Sequence, residues 1–487
     1  MRHSRRQAAT FRRRICTIFS AAVVGLMIGC ASVGPDYVQP QPDLPDAWSQ
    51  ALLDEFSSGE SSIQSWWSVF EDPALDRLIQ EANEGNLDLK IAVARIEEAR
   101  AQYAIARGER FPDIDGSGSA AWTRSSEETA PVLPVGLDRE DSLFSLGASA
   151  AWELDFWGRI RRSVESADAA FESTLENYRD VLVVLYADTA SAYVDVRSFQ
   201  ARIDYAGNNV TAQRETLQLT KDRMKAGLVP ELDVRQAELN LAVTESTIPQ
   251  LRTQLTQAMN RLAVLTGQNP GSLMDLFTSA ADIPAPPKEV MVALPVDLVR
   301  QRPDIRRAER DLASQNARIG VAKGNLYPIF TLPGTFTLEA LDAGEVLNSG
   351  SLTYGFGPAF RWNLFDGGRV RNAVKVEEAR TRQALHRYEN AVLLALEDVE
   401  NAMVALAEER KRNAHLQTAV DAAEDSAGLV KELYRTGLTD FQNVLDMERA
   451  LAAQQDQFAS SSGSLSKNCV RLYRALGGGW DASEEQP

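Results

Sequence analysis

The chain has 487 residues, with 51 Lys+Arg against 68 Asp+Glu and a net charge of −17. Without the six arginines that precede Cys30, 45 basic residues face 68 acidic ones, a balance of −23 that argues against nucleic acid or anionic headgroups as main partners. Of the three cysteines, Cys16 lies in the leader and Cys469 stands alone in a late helical stretch, so the mature chain has no disulfide framework.

Residues 1–29 read as an export signal, an arginine-rich start followed by the mostly apolar run Ile15 to Gly29. Its end, Met27-Ile28-Gly29-Cys30, resembles a bacterial lipobox with Met where Leu is usual. That resemblance implies cleavage before Cys30 and an N-terminal diacylglycerol plus N-acyl lipid (palmitate or similar) on its sulfur and amine. Ala31 follows where Asp would favour inner-membrane retention, which points to the outer membrane. Residues 30–72, rich in Pro and Ser, read as an extended tether and not as part of a core.

Residues 73–267 form a first structural unit. Asp72-Pro73 is an N-cap followed by proline at the first helical position. Helices are predicted over 73–84 and 87–110, with Asn83, Gly85 and Asn86 as the break. Residues 113–124 and 143–155 then alternate apolar and polar, as strands with two environments do. The segment 125–142 between them, with Pro131 and Pro134, is a loop. A helix over 159–226 follows, its apolar positions spaced alternately four and three apart through Leu175, Tyr178, Leu182 and Leu185, the period of left-handed coiled coils. At ~1.5 Å per residue it would run to ~100 Å, which no compact globule accommodates. Gly227 stops it, and a return helix covers 231–265.

After a Pro-rich linker, 268–294, the pattern recurs over 295–477: a helix at 304–323, strands 329–339 and 352–364, a long helix 369–435 and a return helix 439–476. Trp362 stands 210 residues after Trp152, Arg369 after Arg159, Gly437 after Gly227 and Gly477 after Gly267, so the chain is a tandem repeat. The strand-to-helix hinges are Gly158-Arg159 and Gly367-Gly368-Arg369, where glycine accepts backbone angles closed to other residues. Residues 478–487 form a tail.

After Cys30 no run of ~18 apolar residues occurs, so the strands are the only membrane-crossing candidates. Four strands cannot close, and open edges in lipid leave backbone groups unpaired at several kcal/mol each, so several protomers must pool strands. Enzymatic chemistry finds no residues to carry it: His386 and His415 lie 29 apart, and no metal-ligand spacing, phosphate loop or nucleophile–base pair is present.

Four ordered stretches on this frame carry a resemblance to a known family. They are Val33-Gly34-Pro35-Asp36-Tyr37 with Trp66-Trp67 to Leu75; Arg302-Pro303-Asp304-Ile305 to Glu309 with Ile319-Gly320-Val321-Ala322; the hinge Trp362 to Arg371; and Tyr434-Arg435-Thr436-Gly437 through Leu445-Asp446 to Trp480. Across nearly the whole mature chain the sequence resembles the TolC-like outer-membrane efflux channels, in the lipoprotein branch typified by OprM and NodT. The fold this implies is an α+β membrane protein, a long periplasmic helical barrel with four transmembrane strands per protomer. A homotrimer pools them into a 12-stranded β-barrel embedded in outer-membrane lipid.

The implied function is the passive exit duct of a tripartite efflux system. A periplasmic adaptor (membrane fusion protein) and an inner-membrane pump of the resistance-nodulation-division (RND) type drive drugs and small amphiphiles through it. The resemblance places adaptor contacts at the hairpin tips, Gly227, Leu228, Gly437 and Leu438, and a periplasmic gate at Asp446 and Arg449. Here Asn443 stands where TolC itself has a second acid. The alternative to a gate is a solvated (i, i+3) Asp–Arg pair. A type I protein-secretion duct and a poreless structural envelope lipoprotein remain as alternative functions for the same frame.

Overall fold

The structure, a computed structural model, describes residues 32–42, 44–48, 56–58, 63–126, 128, 140–287, 290–292 and 295–480. The signal segment, Cys30, Pro131 and Pro134 in the first inter-strand loop, and the tail beyond 480 lie outside the described residues. The helices, in chain order, are α1 Pro73–Gly85, α2 Leu87–Gly108, α3 Arg159–Lys225, α4 Glu231–Leu265, α5 Pro295–Gln301, α6 Pro303–Gly324, α7 Arg369–Thr436 and α8 Phe441–Ala475. The strands are β1 Ser57–Ser58, β2 Asp113–Arg124, β3 Glu140–Leu154, β4 Met291–Val292, β5 Ile329–Ala340, β6 Leu352–Phe356 and β7 Ala359–Arg361.

Two compact units result. The first comprises residues up to Pro40, Glu97–Ser173 and Ala308–Tyr388; the second comprises Gln41–Ile96, Thr174–Arg307 and Glu389 onward. The first unit holds one antiparallel sheet in the order β2-β3-β5-β6, with β7 also on β5. Its pairing registers, such as Ile114↔Ala150, Phe144↔Ala340 and Phe336↔Tyr354, put most of the large apolar side chains on one face and most Asp, Ser and Thr on the other. Trp122 meets Phe144 edge-on at 5.6 Å and Phe330 meets Phe360 at 6.0 Å along that apolar face.

The strand expected over 352–364 is broken into β6 and β7 and ends at Arg361. Both pieces keep one register on β5, which sets Gly357 against Pro333 and Pro358 against Leu332. Neither proline has an N–H to give the ladder, and only a Gly357 N–H to Pro333 carbonyl bond of 3.3 Å bridges the gap.

The second unit is a helical bundle whose core corrects the reading of 30–72 as a tether outside any core. Trp66, fully buried in a 3-10 turn over Trp66–Phe70, stacks on Tyr473 at 5.6 Å and meets Trp67 and Phe70 edge-on. Trp48, Phe56 and Ile63 join the same core, and so do Leu273, Phe277 and Val290 from the segment expected to be a plain linker. β1 pairs in parallel with β4, tying these two connecting segments together. Aromatic bulk supplies the reason: leaving such side chains in water costs roughly 1.5–3 kcal/mol each. Asp72 caps α1 by accepting from the Ala74 and Leu75 amides and also accepts from the Tyr193 hydroxyl at 2.7 Å.

Candidate functional site

Each hinge is held by an aspartate as well as by glycine. Asp155 accepts from the amides of Ile160 and Arg161 at 3.1 and 2.9 Å, and Asp366 from those of Gly368 and Val370 at 2.8 and 2.9 Å. Both carboxylates therefore fill the orphan donors at the start of a long helix and sit at its positive end. Gly158, Gly367 and Gly368 have φ of 76, 65 and 87°, left-handed angles that let the strand turn into the helix. Arg159 forms a two-pronged pair with Glu153 at 3.0 and 2.9 Å, which holds its pKa above the ordinary value; Arg369 is exposed and has no ion-pair partner among the described residues. Trp152 donates to the Arg110 carbonyl at 3.0 Å and Trp362 to the Leu326 carbonyl at 3.1 Å. In both repeats, an indole at the end of the strand or just past it thus pins the chain to the segment just after the preceding short helix.

A clasp surrounds the first hinge. The Val33 amide donates to the Trp157 carbonyl, and Arg162 reaches both the Val33 carbonyl and Asp36. A Cβ on Gly158 would lie 2.3 Å from the Ser32 hydroxyl, and one on Gly34 would lie 2.6 Å from the Gly320 Cα. Tyr37 donates a short hydrogen bond to Glu309, and burial with that contact pushes the phenol pKa up. The motifs around Gly34, Glu309 and Gly320 are thus in contact, although up to 286 residues separate them.

At the hairpin tips, Gly227 and Gly437 have φ of 70 and 81°. The amides of Gly227 and Leu228 bond the carbonyls of Met224 and Arg223, and those of Gly437 and Leu438 bond Tyr434 and Leu433, the same Schellman turn twice. Leu228 and Leu438 are 66% and 75% exposed, so neither belongs to the chain's own core. Arg223 joins the tips: its guanidinium stacks on the Tyr434 ring at 4.6 Å and donates to the Tyr434 carbonyl at the end of α7. Sequence reasoning passed over Arg223, since a basic residue near a helix end reads only as dipole complementarity.

Asp446 and Arg449 do not pair. Asp446 is exposed and accepts from Gln442 at 2.9 Å, while Arg449 donates to Asn240 at 3.2 Å. The expected alternative of an intrahelical Asp–Arg pair is therefore absent. Between them in sequence, Glu448 accepts from Thr216 of α3 at 2.6 Å and from Asn240 of α4 at 3.2 Å, and burial pushes its pKa up. This half-buried node was not legible in the helical pattern.

Helix ends meet head to tail. Asn86 donates to the Leu265 carbonyl at 2.9 Å and caps α2 by accepting from the Leu89 amide, so α2 starts where α4 ends. In the second repeat, Arg302 donates to the Ala475 carbonyl at 2.8 Å, so α6 starts where α8 ends.

The chain matches the family model described as "Outer membrane efflux protein" over residues 78–268 and 294–478, one block per repeat. The chain belongs to the outer membrane efflux protein family. It is 32% identical to nodulation protein T of Rhizobium leguminosarum bv. trifolii over 94% of this chain and 96% of that one. It is 31% identical to the toluene efflux pump outer membrane protein TtgI of Pseudomonas putida, covering 94% and 97%. Among solved structures, the outer-membrane channel OprN superposes with a TM-score of 0.85 at 35% identity, covering 92% of this chain and 100% of that one. CusC does so with 0.79 at 26%, covering 92% and 100%. As a member of this family the chain is an outer-membrane channel extending into the periplasm, a passive duct and not an enzyme. Among the described helices none is long and apolar enough to cross a membrane.

Proposed function

We propose that three copies close their sheets into one 12-stranded barrel, the exit duct for small amphiphiles in a tripartite efflux system. The observation that carries this is a sheet of about four strands' width with one apolar face and two open edges, β2 and β6/β7. Such edges are not stable in lipid unless another copy pairs with them. Exposed Leu239 and Val243 on α4 and Leu393, Val404 and Leu429 on α7 leave further apolar faces for neighbouring copies. Relatives named for toluene, solvent and antibiotic efflux favour amphiphilic cargo.

In this reading Leu228 and Leu438 at the tips meet the periplasmic adaptor, and the adaptor couples the duct to an RND-type pump. Three Asp446 carboxylates ring the closed end; like charges crowded there repel and discourage anions. Cys30 carries the lipid. The test is conductance of the purified protein in planar bilayers. Discrete steps are expected, with larger steps for Asp446→Ala. An absence of steps overturns the duct, and unchanged steps in the variant overturn the gate.

A further inference from the structure

The polar face of the sheet is acidic, with Asp113, Asp115, Asp141, Glu153 and Glu339, and Glu153 is already paired with Arg159. Among the five strands of this sheet, Arg361 is the one cation on that face. It ends β7, on one open edge; Asp113 begins β2, on the other. All three of Asp113, Asp115 and Arg361 are exposed and without an ion-pair partner among the described residues.

The register inside one chain shows how the two edges would meet. A line of paired residues from Asp113 passes through Ala151 and Pro333 and arrives opposite Gly357, four residues short of Arg361. The line from Asp115 passes through Ser149 and Thr335 to Gly355, six residues short of Arg361. The sheet is therefore staggered, its register line climbing away from the helix ends as it crosses from β2 to β7. Closing a barrel turns that stagger into shear. For 12 strands ~4.8 Å apart, rising ~3.3 Å per residue and tilted ~35–45°, the shear is about 12 to 17 residues, or about 4 to 6 per protomer. Side chains alternate faces, so only an even shift keeps the polar face continuous. A shift of 4 sets Arg361 opposite Asp113, and a shift of 6 sets it opposite Asp115.

We propose that Arg361 of one copy pairs across the seam with Asp113 or Asp115 of the next, fixing the register at which the barrel closes. β7 runs towards the helix end and β2 away from it, so the seam is antiparallel, like every pair inside the sheet. Edges that carried one sign of charge would repel; opposite charges at matching depth select the neighbour's β2 as the partner of β7. This inference rests on the trimer reading above.

The test uses the full-length protein in detergent with two double variants, Arg361→Cys/Asp113→Cys and Arg361→Cys/Asp115→Cys. Directly opposed antiparallel residues have Cα atoms ~4.5–5.5 Å apart, within disulfide reach. Mild oxidation should give covalent dimer and trimer on a non-reducing denaturing gel for one double variant and not for the other. Cross-linking in neither, with light scattering still reporting three chains per particle, overturns the register and leaves the trimer standing. A one-chain mass for the unmodified protein overturns both. If a cysteine pair does not fold, charge exchange tests the same contact: Arg361→Glu should lower the temperature at which the trimer dissociates. Adding Asp113→Arg or Asp115→Arg should restore it, and restoration by neither overturns the pairing.

Discussion

Arg302 shows how a short motif acquires a physical role. Burial opposes its charge, but Asp304 at 2.7 Å and Asp398 at 3.3 Å outweigh that cost and hold the guanidinium pKa above its ordinary value. The same contact holds Asp304 below the usual carboxylate range despite burial. With its bond to the Ala475 carbonyl, Arg302 joins the start of α6 to the end of α8. Arg302→Ala strands the half-buried Asp304 carboxylate and the Ala475 carbonyl, and should cost about 3 kcal/mol in thermal or denaturant unfolding. Arg302→Lys keeps the charge without the fork and should fall between the two.

Glu448 has the opposite sign. Its native pKa is raised, so the folded chain holds this proton more tightly than the unfolded one, and its effect on stability falls as pH rises from about 4.3 through its native value. Glu448→Gln should therefore gain on the wild type between acidic and neutral pH. The difference in melting temperature should close below about pH 4.3; a difference independent of pH would count against the burial of this carboxylate.

At the scale of elements, the two hinges solve one problem twice with different spacing. The repeat register is 210 residues, yet the capping aspartates Asp155 and Asp366 stand 211 apart. The cap is set by where the first turn's amides point and not by repeat alignment, which is why the pattern of glycines revealed the hinge but not its cap. Asp155→Ala or Asp366→Ala should each cost about 1 kcal/mol, read as lowered thermal stability, and the double variant about the sum, since the sites share no partner. β6 and β7 teach the converse: alternation over 352–364 promised one strand, and two prolines on facing strands removed the donors that would have joined it.

For the molecule as a whole, duplication explains the economy of parts. Two Schellman tips, two indole pins and two head-to-tail helix junctions recur because each repeat runs in the same order, short helix, strands, long helix and return helix. One copy leaves two sheet edges and several apolar helix faces open, surfaces that the described residues of a single chain do not bury.

Local chemistry is what the sequence determined unaided. Period 2 against period 3.5, the Asp72-Pro73 start, the glycine stops and the 210-residue spacing all act within a few residues or by self-similarity, so they are visible before folding. Only the tertiary structure decided that Trp66 sits in a core, that Tyr37 reaches Glu309 and that Arg302 holds Ala475. It also decided that Glu448, not the Asp446–Arg449 pair, binds three helices. These contacts join residues one hundred or more positions apart, and no local pattern records which distant partner will satisfy a buried polar or aromatic side chain.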